Sequence, residues 1–154
     1  MRLSTKSRYG LRAIFDIAYH CGNESCQIQD ISRRQNISQR YLEQIFQSLK
    51  KAGILRSKRG PQGGYILAKD PKEITVRDII SATEGDLLLV ECATSGRKKK
   101  PCVIDGTCAT QTVWEEAAHI LDNFFATLTL HDICTRGEKL GIAREKDQRL
   151  MYHI

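Results

Sequence analysis

Residues 37–69, ISQRYLEQIFQSLKKAGILRSKRGPQGGYILAK, decide the fold. Ser38 stands just before a run in which Leu42, Ile45, Leu49 and Ala52 recur at the three- and four-residue spacing of a helix face turned to a core. A helix capped by Ser38 and running through Lys51 is therefore expected. Gly53 stops it. Beyond, GILRSK and YILAK read as two short strands joined by the turn segment RGPQGG, which makes a basic β-hairpin. Ahead of it, IQDISRRQN reads as a short helix with Ile28 and Ile31 on one side, and NIS as a tight break. Short helix, turn, longer amphipathic helix and basic hairpin, in that order, make a winged helix-turn-helix.

The flanks extend this outline. STKSRYGLRAIFDIAYH is a helix with Leu11, Ile14, Phe15 and Ala18 facing inward, ending near Gly22. In DPKEITVRDIISATEG, Thr75 and Asp78 have the spacing of a capping box, and Val76, Ile79 and Ile80 point to the core. The winged domain closes near Glu84. Further on, TVWEEAAHILDNFFATL carries Val113, Ala117, Ile120, Leu121, Phe124 and Leu128 at helical spacing, with Trp114 and Phe125 broadening the stripe. So apolar a helix needs a covering surface, and the simplest is its own copy in a homodimer. TLTLHDIC suggests a last short helix, followed by a tail in which Leu150, Met151, Tyr152 and Ile154 are the residues able to dock. The expected fold is mainly α with a small β-hairpin, organised as a winged helix-turn-helix domain at 1–84, a cysteine-bearing sensor loop at 85–110, and a dimerisation helix with its tail at 111–154.

The chain of 154 residues carries a net charge of +6, unevenly spread. Residues 1–80 hold 15 Lys and Arg against 7 Asp and Glu, whereas residues 81–154 hold 9 against 11, so the halves carry +8 and −2. A basic half joined to a mildly acidic one suggests that the first meets a polyanion, here a double-stranded DNA operator. No apolar run approaches a membrane span, and the N-terminal apolar residues are interrupted by Arg8, Arg12 and Asp16, so neither a membrane segment nor a secretory leader is expected. The reading places the chain in the cytoplasm, where clustered thiols more often bind metal or sense oxidants than form disulfides.

In a helix-turn-helix the N-terminal residues of the second helix reach base edges in the major groove. Here these are Ser38, Gln39, Arg40, Tyr41, Glu43 and Gln44. Gln and Arg side chains read purine edges in a bidentate manner, and hydroxyls serve base or phosphate. Glu43 accepts from cytosine N4 or repels a wrong site, a carboxylate more suited to specificity than to affinity. In the wing, Arg56, Lys58 and Arg59 surround a turn whose glycines permit close backbone approach, and Arg59 is placed to enter a narrow minor groove.

The segment ECATSGRKKKPCVIDGTCATQ crowds Cys92, Cys102 and Cys108 into one loop. Thiolates suit iron-sulfur clusters, while a structural zinc site usually pairs its cysteines as C-x2-C, a pairing missing here. Reduced or disulfide-switching thiols remain open. Cys21 and Cys26, in CGNESC, read as bystanders more than as a pair. An enzyme is not expected: there is no C-x-x-C motif and no phosphate-cradling glycine loop, and no motif links His20, His119, His131 or His153 to a nucleophile.

Taken together, MRLSTKSRYGLRAIFDIA, ISQRYLEQIF, LRSKRGPQGGYILAKDPKEITVRDII and CVIDGTCATQTVW resemble the winged-helix regulator family that includes IscR, NsrR, RirA and CymR. The resemblance implies a dimeric DNA-binding transcription factor, a repressor type, with the long C-terminal helix as dimer interface. It also implies that Cys92, Cys102 and Cys108 ligate a 2Fe-2S or 4Fe-4S cluster. Two departures stand out. Nine residues separate Cys92 from Cys102, more than in IscR, and Gln111 stands where IscR has a histidine ligand. The acidic residue that some NsrR proteins use near the chain start is replaced by Arg8, which cannot coordinate. Candidates for a fourth ligand are Cys134, His119, His131, an acidic side chain of the second subunit, or no protein ligand at all. The alternative within the family is a cluster-free repressor of cysteine metabolism, controlled by a regulatory protein partner or by thiol oxidation.

Overall fold

The computed structural model describes residues 3–61, 63–85, 89–90, 104 and 107–145. Helix α1, Thr5–Asp16, starts at Ser4, whose side chain accepts the Ser7 N–H, and continues as a π-helical turn, Ile17–Cys21, which ends at Gly22 with φ of 59°. Its most deeply buried apolar residues are Ala13, Ile14 and Ile17. Leu11, Phe15 and Ala18, expected on the inner face, are half-buried around this core. The deepest stripe is Gly10, Ala13, Ile14 and Ile17, turned by one position from the expected one, while Phe15 and Tyr19 are met from outside the winged unit by a later helix.

Helix α2, Ile28–Gln35, buries Ile31 and ends at Asn36, whose left-handed φ of 52° turns the chain. Ser38 then caps α3, Gln39–Lys51, by accepting the Tyr41 N–H, as the sequence predicts. Leu42, Ile45 and Leu49 are fully buried. Ala52 is exposed instead, because it lies past the last helical turn where Gly53, at φ of 69°, redirects the chain. Phe46 fills that part of the core, its ring 4.5 Å from that of Tyr65.

Strands β1, Leu55–Lys58, and β2, Gly64–Leu67, pair antiparallel with Leu55 opposite Leu67. The outer edge of β2 is covered by Cys26, which exchanges both backbone hydrogen bonds with Tyr65 at 2.8 Å. Gly64 is where the two backbones come closest: a Cβ there would collide with the Cys26 carbonyl. Gly64→Ala is expected to cost about 1–3 kcal/mol or more, since backbone and not a flexible side chain must yield. Chemical denaturation measures this, and an unchanged midpoint would contradict the described approach of wing and loop.

Helix α4, Val76–Glu84, carries the complete capping box of Thr75 and Asp78, with Val76, Ile79 and Ile80 buried. Gly10 lets α1 approach it closely, and Ser7 Oγ lies 3.0 Å from Thr83 Oγ1 in that contact. Helix α5, Ala109–Thr127, begins earlier than its sequence stripe suggests, and none of its residues is buried. A second capping box, Thr129 with Asp132, starts α6, Leu130–Lys139, which extends beyond the expected TLTLHDIC. The chain then returns to its beginning. Leu130 is fully buried in the core of the winged unit, its N–H donating to the Ile74 carbonyl and the Val76 N–H to Leu128, both at 2.8 Å. Gly137 packs α6 onto Phe15 and Tyr19, and the Tyr19 hydroxyl donates to the Ile142 carbonyl at 2.7 Å. Cys92 and Cys102 lie outside the described residues, as do the tail residues Leu150, Met151, Tyr152 and Ile154. No helix among the described residues is long and apolar enough to cross a membrane.

Candidate nucleic-acid interface and cysteine loop

With Leu42, Ile45, Phe46 and Leu49 turned inward, α3 exposes Ser38, Gln39, Arg40, Glu43 and Gln44. Tyr41 is half-buried, edge-on to Tyr9 at 5.9 Å between ring centroids, so part of its role is to join α3 to α1. Arg56, Lys58 and Arg59 are all exposed on the wing. Two contacts fix the wing beside the helix. Lys50 Nζ reaches Ser57 Oγ at 3.3 Å, and Phe46 packs on Tyr65. The Tyr65 hydroxyl is pushed above its ordinary pKa by burial and then by the negative charge of Glu43. Glu43 therefore projects its field onto the wing as well as outward.

Lys50 is a contact that sequence reading did not single out. Its signal is its distance from Gly53: three residues before a reversal, a long side chain naturally folds over the first strand. Cys21 and Cys26 also differ from expectation. They are joined in a disulfide, with Cα atoms 5.8 Å apart, because the turn at Gly22 brings the end of the π-helical turn alongside the residue that edges β2.

Of the loop cysteines, Cys108 stands at the N-cap position of α5, half-buried, with Sγ 3.1 Å from Thr110 Oγ1. The N-H groups of a first helical turn favour negative charge, so this position suits a thiolate ligand. Gln111, one turn on, donates its amide N–H to Glu115 Oε1 at 2.9 Å. Cys134 lies half-buried on α6, its thiol pushed up to about 11 by burial, with smaller opposing effects of Arg144 and Glu138. His119 and His131 are exposed on α5 and α6, and Arg8 is exposed on α1. Among the described residues, no three His, Cys, Asp or Glu side chains converge as a metal site.

The model of the Rrf2 family, described as an iron-dependent transcriptional regulator, matches residues 3–136. The chain belongs to the Rrf2 family. Among curated Rrf2-type relatives, the HTH-type transcriptional regulator IscR of Pectobacterium atrosepticum is 37% identical over 147 residues, spanning 96% of this chain and 87% of that protein. IscR of Vibrio parahaemolyticus is 35% identical over 147 residues, spanning 96% and 85%. Among solved structures, T. potens IscR superposes with a TM-score of 0.73 at 36% identity, covering 99% of this chain and 97% of the other. CymR, described as the global cysteine regulator of B. subtilis, also gives 0.73, at 29% identity, covering 88% and 98%. This Rrf2 chain is thus an IscR-type, DNA-binding transcriptional regulator with a winged-helix fold, and not an enzyme.

Proposed function

We propose that this regulator works as a homodimer whose operator binding responds to an iron-sulfur cluster held by Cys92, Cys102 and Cys108. The observation that carries the reading is Cys108 at the very start of α5, where the cysteine segment feeds into a helix whose apolar face is uncovered. Val113 and Ile120 are 57% and 67% exposed, and Trp114 and Phe124 are also open to solvent. An apolar stripe of this kind calls for a partner surface, and a second copy of α5 fits it. Residues 85–110 then form the sensor segment and residues 111–154 the dimerisation part, beside the reading domain of 1–84.

Cys92, Cys102 and Cys108 would hold a 2Fe-2S or 4Fe-4S cluster through their thiolates, and the cluster would supply an iron-sulfide centre that oxidants, nitric oxide or iron shortage can disrupt. The route onward runs through the chain's own residues. Arg77 of α4 pairs with Asp122 of α5 at 3.2 Å, and α4 packs against both α5 and α3. A change in the set of α5 is thereby felt at the helix carrying Gln39, Arg40, Glu43 and Gln44, which with Ser38 and Tyr41 face the major groove in this reading. Arg56, Lys58 and Arg59 bind the backbone and minor groove.

Two measurements test this. Purified without oxygen, the protein is expected to contain iron and acid-labile sulfide in matching amounts, and Cys102→Ala to lose both while keeping its helical content. Iron-free and sulfide-free protein after attempted reconstitution would remove the cluster. Arg59→Ala is expected to weaken binding to a selected duplex by about 1–3 kcal/mol and flatten its salt dependence. Unchanged affinity at physiological salt would remove the wing from the interface. A cluster-free repressor of cysteine metabolism is the second reading, favoured by the likeness to CymR.

A further inference from the structure

We propose that Cys21 and Cys26 form a reversible redox site that holds or releases the DNA-binding wing. The inference rests on the DNA-binding reading and is separate from the loop cysteines. Three observations converge on it. First, the two cysteines are cross-linked across the short loop that follows the π-helical turn, with a Cα separation suited to a disulfide. Second, both line a polar cavity of about 640 Å³, where Cys21 is half-buried and Cys26 is buried. Third, Arg34 Nη2 lies 3.2 Å from Cys26 Sγ while the guanidinium also holds Asp16 and Glu145, so an N–H donor stays fixed beside the Cys26 sulfur when the bridge is open.

The output follows from what Cys26 touches. Its backbone edges β2 through both Tyr65 hydrogen bonds, and Lys58 of β1 lines the same cavity. Cys21, by contrast, ends the π-helical turn that continues α1, part of the buried core. The bridge therefore ties the outer edge of the wing to the body of the domain. Without it, the loop of residues 22–25 gains conformational freedom and the wing loses one anchor.

The chemistry balances with hydrogen peroxide as oxidant. The Cys26 thiolate attacks one peroxide oxygen, the O–O bond breaks, and the departing hydroxide is protonated to water, leaving a sulfenic acid on Cys26. The Cys21 thiol then attacks that sulfur. The S–S bond forms, and the hydroxyl leaves as a second water with the Cys21 proton. A dithiol reductant reverses the change by donating two electrons and two protons and becoming a disulfide itself.

The test uses the full chain and a labelled duplex that the protein itself selects from a random-sequence pool. Affinity is measured after hydrogen peroxide and after a dithiol, in parallel with mass analysis of the tryptic peptide of residues 13–33, which contains both cysteines. Peroxide is expected to remove two hydrogens from this peptide and to tighten binding by about fivefold or more. Cys21→Ser should lose both effects, whereas a response arising in the loop cysteines would survive in that variant. A peptide that keeps both thiols under peroxide, or a bridged form that binds no more tightly than the reduced one, overturns the proposal. Absence of salt-dependent binding in both states would instead remove the DNA-binding reading, and the proposed output with it.

Discussion

Arg34→Ala is expected to lower the free energy of unfolding by about 3–5 kcal/mol, the range for removing one partner of a buried ion pair. Asp16 is 0% exposed, and Arg34 grips it from two nitrogens: Nη2 at 2.7 Å from Oδ1, and Nε at 3.0 and 3.1 Å from the two carboxylate oxygens. Gln35 Nε2 adds a hydrogen bond at 2.8 Å. Without Arg34, the carboxylate retains Gln35 alone of these partners, inside a core formed by α1 and α2. Arg34 also pairs with Glu145, which holds the described end of the chain against the helix-turn-helix. Glu145 is desolvated there, but its contacts with Arg33 and Arg34 outweigh this and hold its carboxyl below the usual range. Urea denaturation measures the loss. If Asp16→Asn combined with Arg34→Ala is more stable than Arg34→Ala alone, the stranded charge is the cause; a loss below about 1 kcal/mol would mean that the pair behaves as a surface one.

Leu130→Ala is expected to cost about 2–5 kcal/mol. The side chain is fully buried among residues of the winged unit, although the sequence stretch around it lies beyond the long exposed helix. Removing its branched end leaves a cavity that Ile74 and its neighbours, held by the hydrogen bonds at Val76 and Leu130, are poorly able to collapse. The neighbouring exposed Leu140, truncated in the same way, should cost far less, since it is 78% exposed. Equal effects at the two positions would contradict the return of α6 to the core.

These two residues mark where sequence reading stops. Short-range signals were legible. Ser38 caps α3 through the Tyr41 N–H, Thr75 and Asp78 close their box, and Gly53 reverses the chain into the hairpin, because each depends on atoms within a few residues of one another. The outward set on α3 followed as well, since helical periodicity alone turns Gln39, Arg40, Glu43 and Gln44 away from Leu42 and Ile45. The same periodicity misjudged Ala52 and three of the four residues expected on the inner face of α1, Leu11, Phe15 and Ala18. It counts residues along one helix and contains nothing about how many neighbours that helix meets.

What the sequence determined by itself was the winged helix-turn-helix, its basic reading surface and an apolar helix in need of cover. Only the tertiary structure decided that Arg34 neutralises Asp16, that Leu130 completes the core, and that Cys21 faces Cys26 beside the wing. Caps, turns and helix faces are fixed by local hydrogen bonds and a repeating geometry. Buried charge pairs and core closure arise when distant segments exclude water together, and no local pattern encodes which segments those are, whereas Cys21 meets Cys26 through a turn at Gly22 and the pairing of Cys26 with Tyr65.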